Sequence, residues 1–132
     1  MKSSGLSRLT PYLLSVLRLV AAFVYIAHGT QKMFGVPGHP FHAPQIAATM
    51  MGAAGVLETI GGTLLFLGLF TRPVAFVLSG QMAMAYFTQH FPGGFWPILN
   101  GGELAVLFCF LWLFVCVAGP GPISLDALRK RL

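Results

Sequence analysis

The sequence predicts an all-α membrane protein: a four-transmembrane-helix antiparallel bundle with both termini in the cytoplasm. Three observations point there. Charged residues make up only 8% of the chain, against about 25% in an ordinary soluble domain, too few to cover a water-facing surface. The hydrophobic residues, 56% of the total, gather into four runs. Each run is close to the roughly 20 residues that a helix needs to cross the hydrocarbon core. The positive residues also fall mainly on one side of the resulting topology. The 132 residues, with a mean hydropathy of +0.79, leave room for one transmembrane domain and no separate soluble catalytic one.

The first run, 11–34, follows Lys2 and Arg8. It exceeds the roughly 7–15 apolar residues of a signal peptide, and no small-x-small cleavage site follows, so it reads as a retained first helix. Gly35 to Pro40 break it, and a loop with Phe41, His42 and Pro44 leads to the second run, 46–70. Thr71-Arg72-Pro73 makes a tight turn into the third run, 73–91, with Pro73 suited to a first helical turn. Pro92-Gly93-Gly94 ends that helix. Trp96 fits the aromatic belt at a membrane surface, and Pro97 opens the fourth run, 97–118. Gly119-Pro120-Gly121-Pro122 closes it. The remainder, 123–132, reads as a basic cytoplasmic tail with a short amphipathic helix capped by Ser124.

Orientation follows from the charges. With the N-terminus inside, Lys2, Arg8, Arg72, Arg129, Lys130 and Arg131 all lie on the cytoplasmic side, and Lys32 alone lies near the outer one. The positive-inside rule favours this arrangement and a location in the cell inner (plasma) membrane. The net charge of +5 therefore reads as anchoring against an anionic leaflet. No basic stripe or RNA-binding motif accompanies it, so nucleic acid is not an expected partner.

Cys109 and Cys116 are seven residues apart in one apolar run. On a helix that is about 10 Å of rise, too far for a mutual disulfide. Small apolar packing is their ordinary role. The glycines of the second run, Gly52, Gly55, Gly61, Gly62 and Gly68, are explained in the same way, by close helix approach.

Polar residues inside the spans carry the functional information, because ionisable groups at membrane depth are costly and face the bundle interior. They are Arg18, His28, Lys32, Glu58, His90 and Glu103, with Gln31, Gln81, Gln89 and Asn100 as neutral company. Arg18, Tyr25, His28 and Lys32 share one face of the first helix. By the helical rise, His28 and Glu103 both lie roughly 9 Å below the outer end of their helices. Arg18 and Glu58 differ by about 8 Å in depth, within reach of a long arginine, so they are expected to pair.

Two readings of these residues compete. One is structural: Arg18 with Glu58, and Lys32 or His28 with Glu103, are pairs that fix helix register. The other is a ligand pocket near the outer leaflet, drawn from His28, Gln31, Lys32, Glu58, Gln89, His90, Asn100 and Glu103. His28 and His90 are two candidate haem ligands on two helices, without a supporting motif. His39 and His42 read as solvated loop residues. No metal site and no catalytic residue is assigned. Thr30 to Gly35 and Thr88 to Gly93 echo each other weakly, and their unequal spacing leaves chance as good an explanation as a repeat.

Several segments together resemble the DoxX family. His28-Gly29-Thr30-Gln31-Lys32-Met33-Phe34-Gly35 is similar to its start. Glu58-Thr59-Ile60-Gly61-Gly62, continuing to Leu67-Gly68-Leu69-Phe70-Thr71-Arg72, is similar to its central signature. Asn100-Gly101-Gly102-Glu103 and the segment from Gly119 to Asp126 are similar to its last helix and exit. The resemblance implies a four-helix bacterial or archaeal inner-membrane protein linked to membrane redox chemistry: oxidation of sulfur compounds coupled to quinone, or oxidative and thiol stress. A mechanism does not transfer with a fold. Three functions are therefore expected in competition. They are a quinone-linked redox component, a non-catalytic accessory or anchor subunit of a membrane oxidoreductase, and a carrier for a small solute or proton. The first needs a bound cofactor, with quinone the candidate, or a redox-enzyme partner, because the chain carries no recognisable redox group. For the third, four spans are few for a solute pathway, and a homo-oligomer could supply one.

Overall fold

The computed structural model of the protein describes residues 5–38 and 49–132. Lys2, His39, His42 and the expected start of the second run at 46 lie outside the described residues. All regular structure among the described residues is helical. A 3-10 turn, Gly5–Leu9, leads into α1 (Thr10–Phe34), followed by α2 (Met50–Leu67) and α3 (Thr71–Ala85). A π-helical turn (Tyr86–His90) and a 3-10 turn (Phe91–Gly93) carry α3 onward without a break. Then come α4 (Pro97–Asn100), α5 (Glu103–Ala118) and α6 (Leu125–Arg129). Gly5–Phe34 and Met50–Leu67 are long and apolar enough to cross a membrane, and Glu103–Ala118 is a shorter apolar helix.

The helix ends follow from local chemistry. Thr49 caps α2, its hydroxyl accepting from the Gly52 amide at 3.0 Å. Gly68, at φ 67°, closes α2 in a left-handed turn that a side chain would strain. The fourth run is not one helix, as the sequence reading had it. Asn100 Oδ1 accepts from the Gly102 amide at 2.8 Å, and Gly101 takes φ 73°. That turn separates α4 from α5, because a glycine pair resists helix continuation and admits the left-handed turn. α3 likewise starts at Thr71, two residues earlier than expected, because Asp126 from the tail binds its first amides (below).

α1 packs along α2 and α3 along α5, with a smaller seam between α2 and α3. Glycines set the first interface. A Cβ on Gly29 would stand 2.5 Å from Thr59 Oγ1, and one on Gly62 would stand 2.8 Å from Ile26 Cγ1. The helices therefore meet backbone to backbone. The centre of the bundle is aromatic. Tyr25 meets Phe108 and Trp112 edge-on, with centroids at 5.1 and 5.5 Å. Outward, Val20, Phe23, Phe76, Leu107, Phe110 and Val117 are all exposed. An exposed apolar surface of that extent suits lipid contact.

Four side chains lock one end of the bundle. Arg18, fully buried, donates to the carbonyls of Leu65, Phe66 (2.7 Å), Pro120 (2.9 Å) and Ile123 (2.5 Å). It thereby caps the C-terminus of α2 and holds the exit from α5. Arg72 Nη1 donates to Cys116 O at 2.9 Å and to Val117 O, closing the end of α5. Asp126 accepts from the amides of Phe70 (3.0 Å) and Thr71 (2.9 Å), a carboxylate at the start of α3. Ser15 Oγ accepts from the Ile123 amide at 3.1 Å, so the start of α1 and the tail meet at this same end.

The Asp126 clasp gives a pH dependence. Partial burial pushes its carboxyl up, but the Thr71 and Phe70 amides and nearby Arg129 outweigh that and hold it below its ordinary value. A depressed carboxyl stabilises the fold above its unfolded pKa, and the contribution fades as pH falls through the lower, folded value. Melting in detergent from pH 7 to pH 3 should therefore show a loss of stability on the acid side. Asp126→Asn should start less stable at pH 7 and lose less on acidification. An acid limb that is the same in the variant would show that the clasp contributes nothing.

Candidate functional site

Three helices bring one polar cluster into the interior. Tyr25, His28 and Lys32 lie along one face of α1. Glu58 sits near the middle of α2 and is 1% exposed. Lys32 Nζ reaches both of its carboxylate oxygens, at 2.6 and 2.7 Å. Gln81 of α3 completes the chain: its Nε2 donates to Glu58 Oε1 at 3.1 Å and to Ala54 O at 3.4 Å. Its Oε1 accepts from the Tyr25 hydroxyl at 2.9 Å. Gly55 allows this approach, since a Cβ there would stand 3.1 Å from Lys32 Cβ.

The expected Arg18–Glu58 pair is not formed. Arg18 is taken up by four carbonyls at the other end of α2, and Glu58 pairs with Lys32 instead. The reason is reach. Lys32, near the end of α1, extends its aliphatic stem down toward the buried carboxylate. The Lys32 side chain keeps 19% exposure, so this pair has one end open and one end closed.

The candidate pocket residues fall into three groups. His28, Lys32 and Glu58 belong to the interior cluster, although the His28 ring itself makes only an edge contact with Phe108, at 6.5 Å between centroids. His90 and Asn100 form a second group with Tyr86. Asn100 Nδ2 donates to Gly94 O at 2.8 Å and to the Tyr86 hydroxyl at 3.3 Å. A His90 ring nitrogen lies 3.2 Å from Asn100 O, and the ring stacks on Tyr86. These bonds hold the π turn of α3 against α4, a local structural task. Gln31, Gln89 and Glu103 join neither group. Gln89 and Glu103 are exposed, and none of the three side chains makes a hydrogen bond among the described residues. Glu103 is thus a partner of neither His28 nor Lys32, because the Gly101–Gly102 turn starts α5 with its side chain facing outward.

Tyr25 and Gln81 are the members that the sequence reading left out of the pocket. Gln81 had a signal: it is the one amide in the apolar stretch of α3. His28 and His90 belong to different groups, so the described geometry does not join them as a haem pair. Among the described residues no three of His, Cys, Asp and Glu gather as metal ligands. Cys109 and Cys116 are free thiols.

The cluster has spare chemistry. Lys32 Nζ carries three N–H donors, and two are used by Glu58. The third is available to a carbonyl or anionic oxygen approaching from the open side. Glu58 is a carboxylate linked through Gln81 to the Tyr25 phenol, so one chain of hydrogen bonds joins the three helices.

Comparison with known proteins is consistent with this architecture. The family model described as DoxX matches residues 13–91. The chain is 43% identical to a protein of Haemophilus influenzae, an alignment covering 93% of this chain and 95% of the relative. It is 29% identical to the inner membrane protein YphA of Escherichia coli, covering 88% and 89%. It is 25% identical to CatD of Bacillus subtilis, named as a candidate oxidoreductase, covering 84% and 82%. No solved structure matches the chain.

Proposed function

The chain belongs to the DoxX family of membrane proteins, and from that premise we propose that it is a quinone-linked component of a membrane redox system. In this reading four helical segments cross the inner membrane with both termini cytoplasmic, and the Lys32–Glu58 cluster meets the quinone head group. The observation that carries it is the Lys32–Glu58–Gln81–Tyr25 chain itself. A charge pair and two hydrogen-bonding side chains inside an apolar bundle are costly there, and such groups default to function. Lys32 donates to a quinone carbonyl, Glu58 holds the ammonium in place, and water on the open side of Lys32 supplies the protons that the quinol takes up. Reducing a quinone to a quinol takes two electrons and two protons. The electrons come from a partner oxidoreductase, since the chain offers none, and the name of the Bacillus subtilis relative is in keeping with such a setting.

The test is binding of decylubiquinone to the purified protein in detergent, read by quenching of tryptophan fluorescence. The wild type should bind saturably, and Lys32→Met/Glu58→Gln should lose at least tenfold in affinity while melting as a folded protein. Equal affinity in the folded double variant overturns the reading. A second reading, a non-catalytic anchor for a redox enzyme, is favoured by one feature: Lys32, Glu58, Gln81 and Tyr25 satisfy one another and need no ligand to be stable. It forecasts no quinone binding and a stoichiometric enzyme partner on native mass spectrometry.

A further inference from the structure

At the end of the bundle where the start of α1 meets the tail, a cleft of about 640 Å³ opens between the start of α3, the end of α5 and α6. It lies at the opposite end of α2 from the Lys32 side of the interior cluster, and the argument for it does not rest on quinone binding. Three cations line it: Arg72, Arg129 and Lys130. Its one acid, Asp126, has both oxygens engaged by backbone amides. The lining charges therefore sum to three positive less one negative.

The cations are left with unused donors. Arg72 spends Nη1 on the end of α5, while its Nη2 and Nε donate to nothing among the described residues. Arg129 lies over the Phe70 ring at 5.1 Å and makes no hydrogen bond there. Lys130 is exposed, and the one ion pair among the described residues is Lys32–Glu58. Three cations on one concave surface, outnumbering the single carboxylate near Arg129 and in no ion pair with it, suit an anionic group with several oxygens. The other walls are apolar, including Phe70, Pro73 and Ala118. One turn further into α3 from Arg72 and into α5 from Ala118, Phe76 and Phe114 are exposed on the outside of the bundle. A ligand with a phosphate in the cleft thus has an apolar path to follow beside it.

We propose that this cleft is a binding site for the head group of an anionic phospholipid, its phosphate held by Arg129, Lys130 and the free edge of Arg72. The acyl chains run along α3 and α5. The lipid source is favoured over a free phosphate because the polar donors and the exposed apolar helix faces are continuous.

The test uses the purified full chain in detergent, titrated with dioleoylphosphatidylglycerol, dioleoylphosphatidylcholine or inorganic phosphate, with native mass spectrometry reading bound lipid. One saturable phosphatidylglycerol per protein is expected, bound at least tenfold tighter than phosphatidylcholine. Each cation at a membrane surface is worth about a fivefold change in affinity, so Arg129→Gln/Lys130→Gln should weaken phosphatidylglycerol binding roughly 20-fold. Arg8→Gln/Arg131→Gln removes the same charge outside the cleft and should weaken it much less. Unchanged melting in phosphatidylcholine shows that both variants fold. Equal losses in the two variants, or none in the cleft variant, overturn the site. Displacement of the lipid by millimolar inorganic phosphate overturns the lipid as its occupant.

Discussion

Arg18→Met is expected to prevent the protein from accumulating in folded form. Arg18 is fully buried and donates four hydrogen bonds, to the carbonyls of Leu65, Phe66, Pro120 and Ile123. The last carbonyls of a helix have no partner within the helix, and Arg18 supplies one for α2. A methionine fills much of the volume but leaves these acceptors without their donor. Hydrogen bonds from a charged donor contribute roughly 1.5–3 kcal/mol each, and an orphaned buried acceptor costs about 1–3 kcal/mol. Even with partial relaxation, a loss of about 4 kcal/mol or more is expected, against a total stability on the order of 5–15 kcal/mol. Arg18→Lys should fall between, because an ammonium keeps the charge but cannot fan across four carbonyls. The measurement is the yield of monodisperse protein after detergent extraction, with the melting temperature of whatever survives. A methionine variant with wild-type yield and melting would remove Arg18 from its structural role.

The second large effect is asymmetric. Lys32→Met strands a carboxylate that is 1% exposed, while Glu58→Gln leaves a lysine that still reaches water. Breaking a buried pair costs about 3–5 kcal/mol. Lys32→Met should lie within that range. Glu58→Gln should cost less than half as much, since glutamine keeps an acceptor for Gln81 and Lys32 swings outward. The double variant should be more stable than Lys32→Met alone. Chemical denaturation of all four proteins in one detergent gives the coupling directly. If the two single losses add without coupling, the 2.6 Å contact carries no energy.

The helices were legible in the sequence because apolar runs and glycine–proline punctuation report the solvent and the chain breaks directly. The ion pairs were less legible. Depth arithmetic follows Cα positions, and a lysine stem carries its charge well away from its own Cα. Lys32 therefore read as a surface residue near Glu103, whereas it reaches Glu58. Arg18 was assigned a carboxylate because a charge invites an opposite charge. Its actual partners are backbone carbonyls, which any residue can offer and no sequence marks. The Gly101–Gly102 break was visible as letters, but in an apolar run from Pro97 to Ala118 it was absorbed into one long helix. Glu103 followed that error into a pocket to which it does not contribute.

The lock at the tail end of the bundle has a consequence for biosynthesis. Two of the hydrogen bonds of Arg18 go to acceptors 102 and 105 residues later in the chain, and Ser15 binds an amide 108 residues later. The first helix thus enters the membrane with a guanidinium whose final partners have not been synthesised. Until the exit segment at 120–123 emerges, that group must stay at the water boundary or borrow lipid phosphates. Only with the exit segment in place can Arg18 make all four of its hydrogen bonds inside the bundle.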